Sequence, residues 1–331
     1  MLLSFTTVAQ DGPAPAPKAT KTAPNAADLY RKAIEELQKA LPVPEYEGSI
    51  DLPEDSYEEQ PDYTGKAWQQ TVRKSAVALT LFSQASQIPT CKFDPKTEEL
   101  ITEFMSMAPQ FAALRQIVAA HAWQQVREDP RGAGATAMQM LNHANHCAQD
   151  RVMISIAIGL TAEDEAAKIL QAVTKQLASQ EGGPAVAKRL LKQLELHLAT
   201  RPTRITIADA AEYEFGFLLS GLDDMPKNVN TQSASKRAAQ IVREIVEPLR
   251  TDTTVTVEAL RAHVKKHHDR ARKFTKAKKL TTLLKNGTGE TLAAVLVSLA
   301  ASDPSRILEP LLKSGKTLQE CRQQLIVLAS K

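Results

Sequence analysis

The chain has 331 residues, of which 43% are hydrophobic and only 5% aromatic, and it contains 13 glycines. A core of Ala, Leu, Ile, Val and Met suits close helix packing, and clean period-two alternation is too rare for a large sheet. The formal net charge of +3 is too small to indicate a charged partner by itself. We therefore predict an all-α protein of stacked antiparallel helical hairpins.

Residues 1–24 are predicted to be a signal-peptide remnant followed by a Pro/Ala-rich linker. Residues 1–9 are apolar and end in a small-x-small pattern that fits a cleavage site, although a basic n-region and a long apolar core are missing. The sequence therefore predicts export to the periplasm or cell envelope. The alternative is a disordered tail on a cytoplasmic protein. No apolar run reaches the roughly 18 residues that a membrane span needs.

Prolines, glycines and capping residues divide the rest of the chain into helical segments. In chain order we predict helices at 25–41, 64–87, 96–127 (interrupted near Pro109), 133–160, 161–179, 185–198, 206–221, 233–249 and 256–285, and short helices starting near Thr288, at Asp303-Pro304 and at Thr317. Three helix starts rest on a threonine three residues before an acid, a capping pattern: Thr161–Asp164, Thr206–Asp209 and Thr317–Glu320. Residues 151–160 have a strand-like composition, but their helical surroundings favour helix.

The predicted organisation has two main parts. Residues 25–250 form a helical-hairpin domain with an acidic loop at 42–63. Residues 251–331 form a basic helix and short C-terminal helices, which either pack on the first part or stand as a second domain.

The three cysteines, Cys91, Cys147 and Cys321, show no CxxC spacing, which excludes zinc-ribbon and thioredoxin-like motifs. One disulfide with a free thiol and three free thiols are both compatible with the sequence.

Three segments resemble a group of exported, all-helical bacterial proteins of the planctomycete type. "NAADLYRKAIEELQKALP" is similar to their Asn-Ala-Ala-x-x-Tyr-x-x-Ala opening helix, "AMQMLNHANHCAQDRVMISIAIGLTAEDEAAKILQAV" to their central hairpin, and "AAEYEFGFLLSGL" to a later helix with a central Glu. The resemblance covers about the first two thirds of the chain. It implies an exported helical protein. Because these motifs record helix packing, it assigns no functional residue.

The segment HANHCAQD, residues 143–150, is a candidate metal site. At 100° per residue His143, His146, Cys147 and Asp150 share one arc of a helix, off the centre of its apolar face. His143 and Cys147 also have the i, i+4 spacing of helical ligand pairs. Neighbouring side chains on one helix diverge outward, however, and metal sites usually draw ligands from two elements. A solvated or inter-helix polar face is therefore the favoured interpretation.

Residues 261–285 contain ten cations and a single acid, Asp269. Such a helix is a candidate polyanion-binding surface, with these residues as its contacts: Lys265, Lys266, Arg270, Arg272, Lys273, Lys276, Lys278 and Lys279. Base-stacking aromatics are nearly absent, so nucleic acid is possible but not favoured.

The acidic residues 45–62 carry eight acids and no base. We interpret the two segments as separate solvated surfaces; the alternative is an acidic cover lying over the basic helix.

No nucleophile-elbow, zinc-protease or phosphate-loop motif occurs in the sequence. Glu212 and Glu214 lie in an apolar helix, and we expect one of them to be partly buried and paired with Arg201 or Arg204. The sequence thus predicts a non-enzymatic scaffold or binding protein without a cofactor, whose partner is another protein or an envelope component. The alternatives are polyanion binding through residues 261–285 and a metal-dependent site at residues 143–150.

Overall fold

The computed structural model describes residues 24–43, 49–58, 61–93, 97–150, 152–220, 229–275 and 303–331. Within these ranges the chain forms eleven α-helices and no strand, which confirms the all-α prediction. The helices are α1 (Ala26–Ala40), α2 (Lys66–Lys74), α3 (Ala76–Ser86), α4 (Thr97–Gln125), α5 (Pro130–Gln149), α6 (Met153–Leu177), α7 (Gly183–Thr200), α8 (Arg204–Ser220), α9 (Val229–Thr251), α10 (Val257–Thr275) and α11 (Ser305–Ala329).

Helix α6 lies at the centre of the array. It packs most extensively on α5 and α11, and it also contacts α4, α7 and α8. One apolar cluster joins α1 to α7 with the second half of α11. A second cluster joins α8, α9 and α10 with one end of α6 and one end of α11. It includes Leu249 and Val255, which lie on either side of the predicted boundary between residues 25–250 and 251–331. No helix in the described ranges is both long and apolar enough to cross a membrane.

Several predicted helix starts and breaks are confirmed by local hydrogen bonds. The Asn25 side chain accepts the amide N–H of Ala27 at 3.3 Å ahead of α1. The Asp303 carboxylate accepts the amide N–H of Ser305 at 2.9 Å ahead of α11. Gly182 adopts a left-handed φ of 76°, which favours glycine and separates α6 from α7. These signals act within a few residues, so the sequence alone is sufficient to identify them.

All three threonine capping predictions are wrong, because each of these threonines lies inside a helix. Thr161 lies inside α6, where its hydroxyl donates to the carbonyl of Ile158 at 2.7 Å, and residues 153–160 are helical. Thr317 lies inside α11, where its hydroxyl donates to the carbonyl of Lys313 at 3.1 Å. A threonine hydroxyl can bond a carbonyl of the preceding turn as well as an amide of the following one, so the pattern alone is ambiguous. Near Thr206 the helix begins two residues earlier, at Arg204.

Three further boundary predictions are corrected by the structure. Pro109 lies within an unbroken α4 and Pro248 within α9, so neither proline ends its helix. A proline removes one helical hydrogen bond, and packing on both sides of it outweighs that loss. The predicted helix at 64–87 is divided at Ser75, whose hydroxyl donates to the carbonyl of Thr71 at 2.8 Å. The predicted start near Thr288 lies outside the described residues.

Candidate functional site

The four predicted metal-site residues lie at the end of α5 and contact different partners. His143, His146 and Cys147 are buried. The Sγ of Cys147 lies 3.6 Å from Nε2 of His143, while Nδ1 of His146 lies 2.9 Å from the Tyr30 hydroxyl. The Asp150 carboxylate accepts the amide N–H of Phe93 at 3.3 Å. The arc that the sequence predicted therefore faces the interior between helices.

His143 lies within a cage of aromatic rings. The Tyr30 and Phe82 rings meet its ring edge-on at centroid distances of 4.7 and 5.4 Å, and the Phe111 ring stacks on it at 5.7 Å. Burial, with smaller contributions from His146 and Arg115, lowers the pKa of His143 to about 3. Burial also lowers the pKa of His146 to about 4. Both rings are therefore neutral near pH 7, and they pack as polar aromatic groups.

The metal hypothesis at residues 143–150 stays a prediction. Within the described residues no three His, Cys, Asp or Glu side chains come together in a group that could hold a metal ion. Burial raises the pKa of the Cys147 thiol far above its ordinary value, which favours the protonated form. All three cysteines are free and buried. Of the two arrangements that the sequence left open, the structure therefore has three free thiols and not one disulfide with a free thiol.

The described part of the basic segment lies on α10. Val257, Leu260 and Val264 form its buried stripe. Lys265 and Lys266 are exposed on the opposite side. The described structure does not include the side chains of Arg270, Arg272 and Lys273, nor residues Lys276, Lys278 and Lys279.

The described part of the acidic segment lies against α2 and α4. The Asp55 carboxylate accepts the indole N–H of Trp68 in α2 at 2.8 Å. The carbonyls of Ser56 and Tyr63 accept side-chain amides of Gln116 and Gln124 in α4 at 2.8 and 2.9 Å. These contacts anchor the segment beside the first apolar cluster.

A buried polar cluster joins three helices around Glu163, a residue that sequence reasoning did not single out. Glu163 in α6 is fully buried, and its carboxylate accepts Nε2–H of His197 from α7 at 2.9 Å. Arg201, the residue that directly follows α7, pairs with both carboxylate oxygens. The Ser314 hydroxyl of α11 donates to the same carboxylate at 2.6 Å. We call these four residues the Glu163 cluster.

The surroundings of Glu163 favour its charged form. Burial raises the pKa of this carboxyl, but hydrogen bonds from His197, Arg201 and Ser314 and the charge of Arg201 outweigh burial and hold the pKa below its ordinary value. A Cβ atom on Gly315 would lie 2.5 Å from Nη1 of Arg201, so the guanidinium occupies space that only glycine leaves open. Within the cluster Glu163, His197 and Ser314 are buried and Arg201 is partly exposed, so the cluster acts on stability.

The predicted partners of Arg201 and Arg204 are corrected. Arg201 pairs with Glu163, and Arg204 donates to the carbonyl of Val255 at 2.9 Å. Of Glu212 and Glu214, one was expected to be partly buried. Glu214 is buried, and its carboxylate accepts the amide N–H of Met153 at 2.6 Å. His197 and Arg201 are four residues apart and so share one face, which is a sequence signal for a common acidic partner. The signal does not identify Glu163 as that partner.

Two adjoining cavities of about 550 and 420 Å³ form an open cleft beside α6. We refer to both together as the cleft. Its walls are the turn at residues 61–64, α4, α6 and the start of α11. Tyr63, Glu165 and Lys168 line both cavities; Trp123 lines the larger one, and Arg115 the smaller.

Internal contacts fix the shared wall of the cleft. The indole N–H of Trp123 donates to Glu165 at 2.8 Å, and Nζ of Lys168 lies 3.1 Å from Asp164 and 3.5 Å from Glu165. Burial, followed by the charge of Glu165, raises the pKa of Tyr63 to about 12, so its hydroxyl keeps its proton. The wall therefore presents an oriented indole, a neutral phenol and a lysine paired with carboxylates.

Comparison of the chain with protein-family models, curated proteins and solved structures finds no match. The resemblance to exported helical bacterial proteins of the planctomycete type stays a prediction.

Replacing Glu163 with Gln is expected to lower the free energy of unfolding by about 3 kcal/mol, because Arg201 then keeps a largely buried charge without a counter-ion. The matched control is Glu195→Gln, which removes the exposed α7–α11 pair between Glu195 and Arg322 at 2.9 Å and is expected to cost about 0.5 kcal/mol. Urea unfolding of both variants measures the difference. Equal losses would contradict a special role for the Glu163 cluster.

Acidification from pH 7.5 to 5 is expected to destabilise the protein by about 2 kcal/mol for each of His143 and His146, because the unfolded rings take up protons near pH 6.5 and the folded rings do not. Glu163, whose folded pKa is lowered, loses its contribution only below about pH 4.5. Urea unfolding across this range should give a shallower pH dependence for His143→Leu than for the wild type. A His143→Leu slope equal to wild type would refute the assignment.

Proposed function

We propose that the chain is a non-enzymatic binding protein, and that its ligand, a group on another protein or an envelope component, enters the cleft. The observation that supports this most directly is the cleft itself. Its larger cavity, about 550 Å³, lies within the ordinary range for ligand sites, roughly 300–1,000 Å³. It combines an aromatic side chain, Trp123, with polar groups that point at the same space, which is the usual composition of such sites.

The cleft wall is preorganised. Glu165 holds the Trp123 indole and contacts Lys168, so these side chains lose little conformational freedom when a ligand arrives. Helix α6 also carries Glu163 on its buried side, and the Glu163 cluster ties it to α7 and α11. Rigid support of this kind favours binding, because the protein does not have to be ordered by its ligand.

The test is to fill the cleft with an indole. Ala172 is a partly buried residue of the larger cavity, and Ala172→Trp is expected to abolish retention of the ligand. Purified wild type and variant are dialysed against small molecules and peptides extracted from the source cells, and the retained compounds are identified by mass spectrometry. The matched control is Ala67→Trp on α2, which adds the same indole at an exposed position.

A compound retained by wild type and Ala67→Trp, but not by Ala172→Trp, would support the proposal. Identical retained compounds on all three proteins would place binding elsewhere on the chain and contradict it. Thermal unfolding of each variant verifies that the added indole leaves the fold intact.

The second candidate function is polyanion binding through α10. Lys265 and Lys266 are exposed, and the buried stripe of α10 directs them away from the core. We expect salt-dependent retention on heparin that Lys265→Glu combined with Lys266→Glu weakens. The matched control is Lys188→Glu with Lys192→Glu, two exposed lysines of α7. Equal loss in both double variants would point to net charge rather than to this surface.

The predicted export decides which polyanion is relevant. A mature chain that begins near Gln10 and is found in the envelope fraction would direct the search to anionic envelope components. A full-length chain in the cytosol would make nucleic acid the target of α10 and would contradict the proposed export. Intact mass spectrometry after cell fractionation distinguishes the two.

A further inference from the structure

Arg115 stands out among the residues of the cleft. It is a partly buried residue of α4 that lines the smaller cavity, and its guanidinium makes no hydrogen bond or ion pair with any part of the chain that the structure describes. A guanidinium withdrawn from water without a counter-charge is unfavourable, and its planar donors match the oxygens of a carboxylate or phosphate. An unpaired arginine in a cavity therefore indicates an anionic ligand.

A second arginine lines the same cavity from α11. Arg306 is exposed, and its guanidinium likewise has no hydrogen bond or ion pair among the described residues. Lys313, two turns further along α11, contacts Asp164 only at 3.9 Å. Cations from α4 and α11 thus approach one space from two walls, which is the arrangement that an oxyanion with several acceptor atoms requires.

The carboxylates of the cavity are mostly engaged by the protein. Asp164 and Glu165 contact Lys168, and Glu309 pairs with Arg261 at 3.2 Å. Among the described lining residues this leaves the exposed Glu58 as the carboxylate that forms no ion pair. The described lining holds four cations and four carboxylates, so its charges balance overall. An anion would therefore be bound by the two guanidinium groups, which form no ion pair, while three of the four carboxylates already do.

We propose that the cleft binds a ligand in which an oxyanion adjoins a flat apolar or aromatic group, with the oxyanion on Arg115 and Arg306 and the flat group against Trp123. The two cavities meet at Tyr63, Glu165 and Lys168, so one ligand can reach both. The inference rests on the proposed function of the cleft and names the chemical class of its ligand.

The test uses four probes on the full chain at constant ionic strength: phenyl phosphate, benzoate, inorganic phosphate and benzyl alcohol. Equilibrium dialysis up to about 10 mM is appropriate, because ligands of this size bind in the millimolar range. Phenyl phosphate or benzoate is expected to bind at least tenfold more tightly than benzyl alcohol. Whichever of phenyl phosphate and benzoate binds more tightly identifies the oxyanion as a phosphate or a carboxylate. The difference in affinity between phenyl phosphate and inorganic phosphate measures the contribution of the aromatic ring.

Variants separate this inference from the proposed function. Arg115→Gln and Arg306→Gln should each weaken binding of the preferred anion at least tenfold. Arg115→Lys, which keeps the charge but loses the planar fork, should weaken it less. Arg131→Gln, at an exposed arginine of α5, is the control and should bind as wild type.

Two outcomes overturn the inference. The first is that none of the anionic probes binds; the second is that Arg115→Gln binds them as wild type does. If Ala172→Trp still blocks retention of the extracted compound in either case, the cleft keeps its proposed function and only the ligand class is wrong. If Ala172→Trp has no effect on any ligand, the proposed function fails.

Discussion

The ionised carboxylate of Glu163 is the constraint on which the central helices depend. A charge fully withdrawn from water is tolerated only when its oxygens are saturated by donors. The donors come from the end of α7 and from α11, so these two helices can pack on α6 in one register only. Asp164, Glu165 and Lys168 follow on the same helix and face the cleft, which means that the buried charge also fixes the position of the cleft wall.

The interior of α5 shows the same principle with neutral groups. His143 and His146 occupy positions in a core that otherwise consists of aliphatic and aromatic residues. Their rings meet Tyr30, Phe82 and Phe111 through edge and stacking contacts, and their lowered pKa values keep them uncharged near neutral pH. The most conspicuous polar segment of the sequence is thus an element of the packing, while the groups that can meet a ligand lie on the opposite side of α6.

The accuracy of sequence reasoning followed the distance over which each signal acts. Fold class and the caps at Asn25 and Asp303 depend on composition and on neighbouring residues, and they were predictable. The shared arc of residues 143–150 was predictable as well, but its inward direction was not, because the cage rings come from remote segments. Glu163 and Ser314 are 151 positions apart, and nothing in either local sequence indicates the other. The cleft likewise draws its walls from four separate elements.

The return of α11 to α6 has a consequence for the order of assembly during synthesis. Domains generally begin to fold from the N-terminus as the chain emerges. Until α11 is made, the carboxylate in α6 lacks its serine donor, and the apolar faces of α6 and α7 that α11 covers stay exposed. Helix α11 is therefore made after the helices that it covers, and the packing around α6 and α7 is completed only once α11 has left the ribosome.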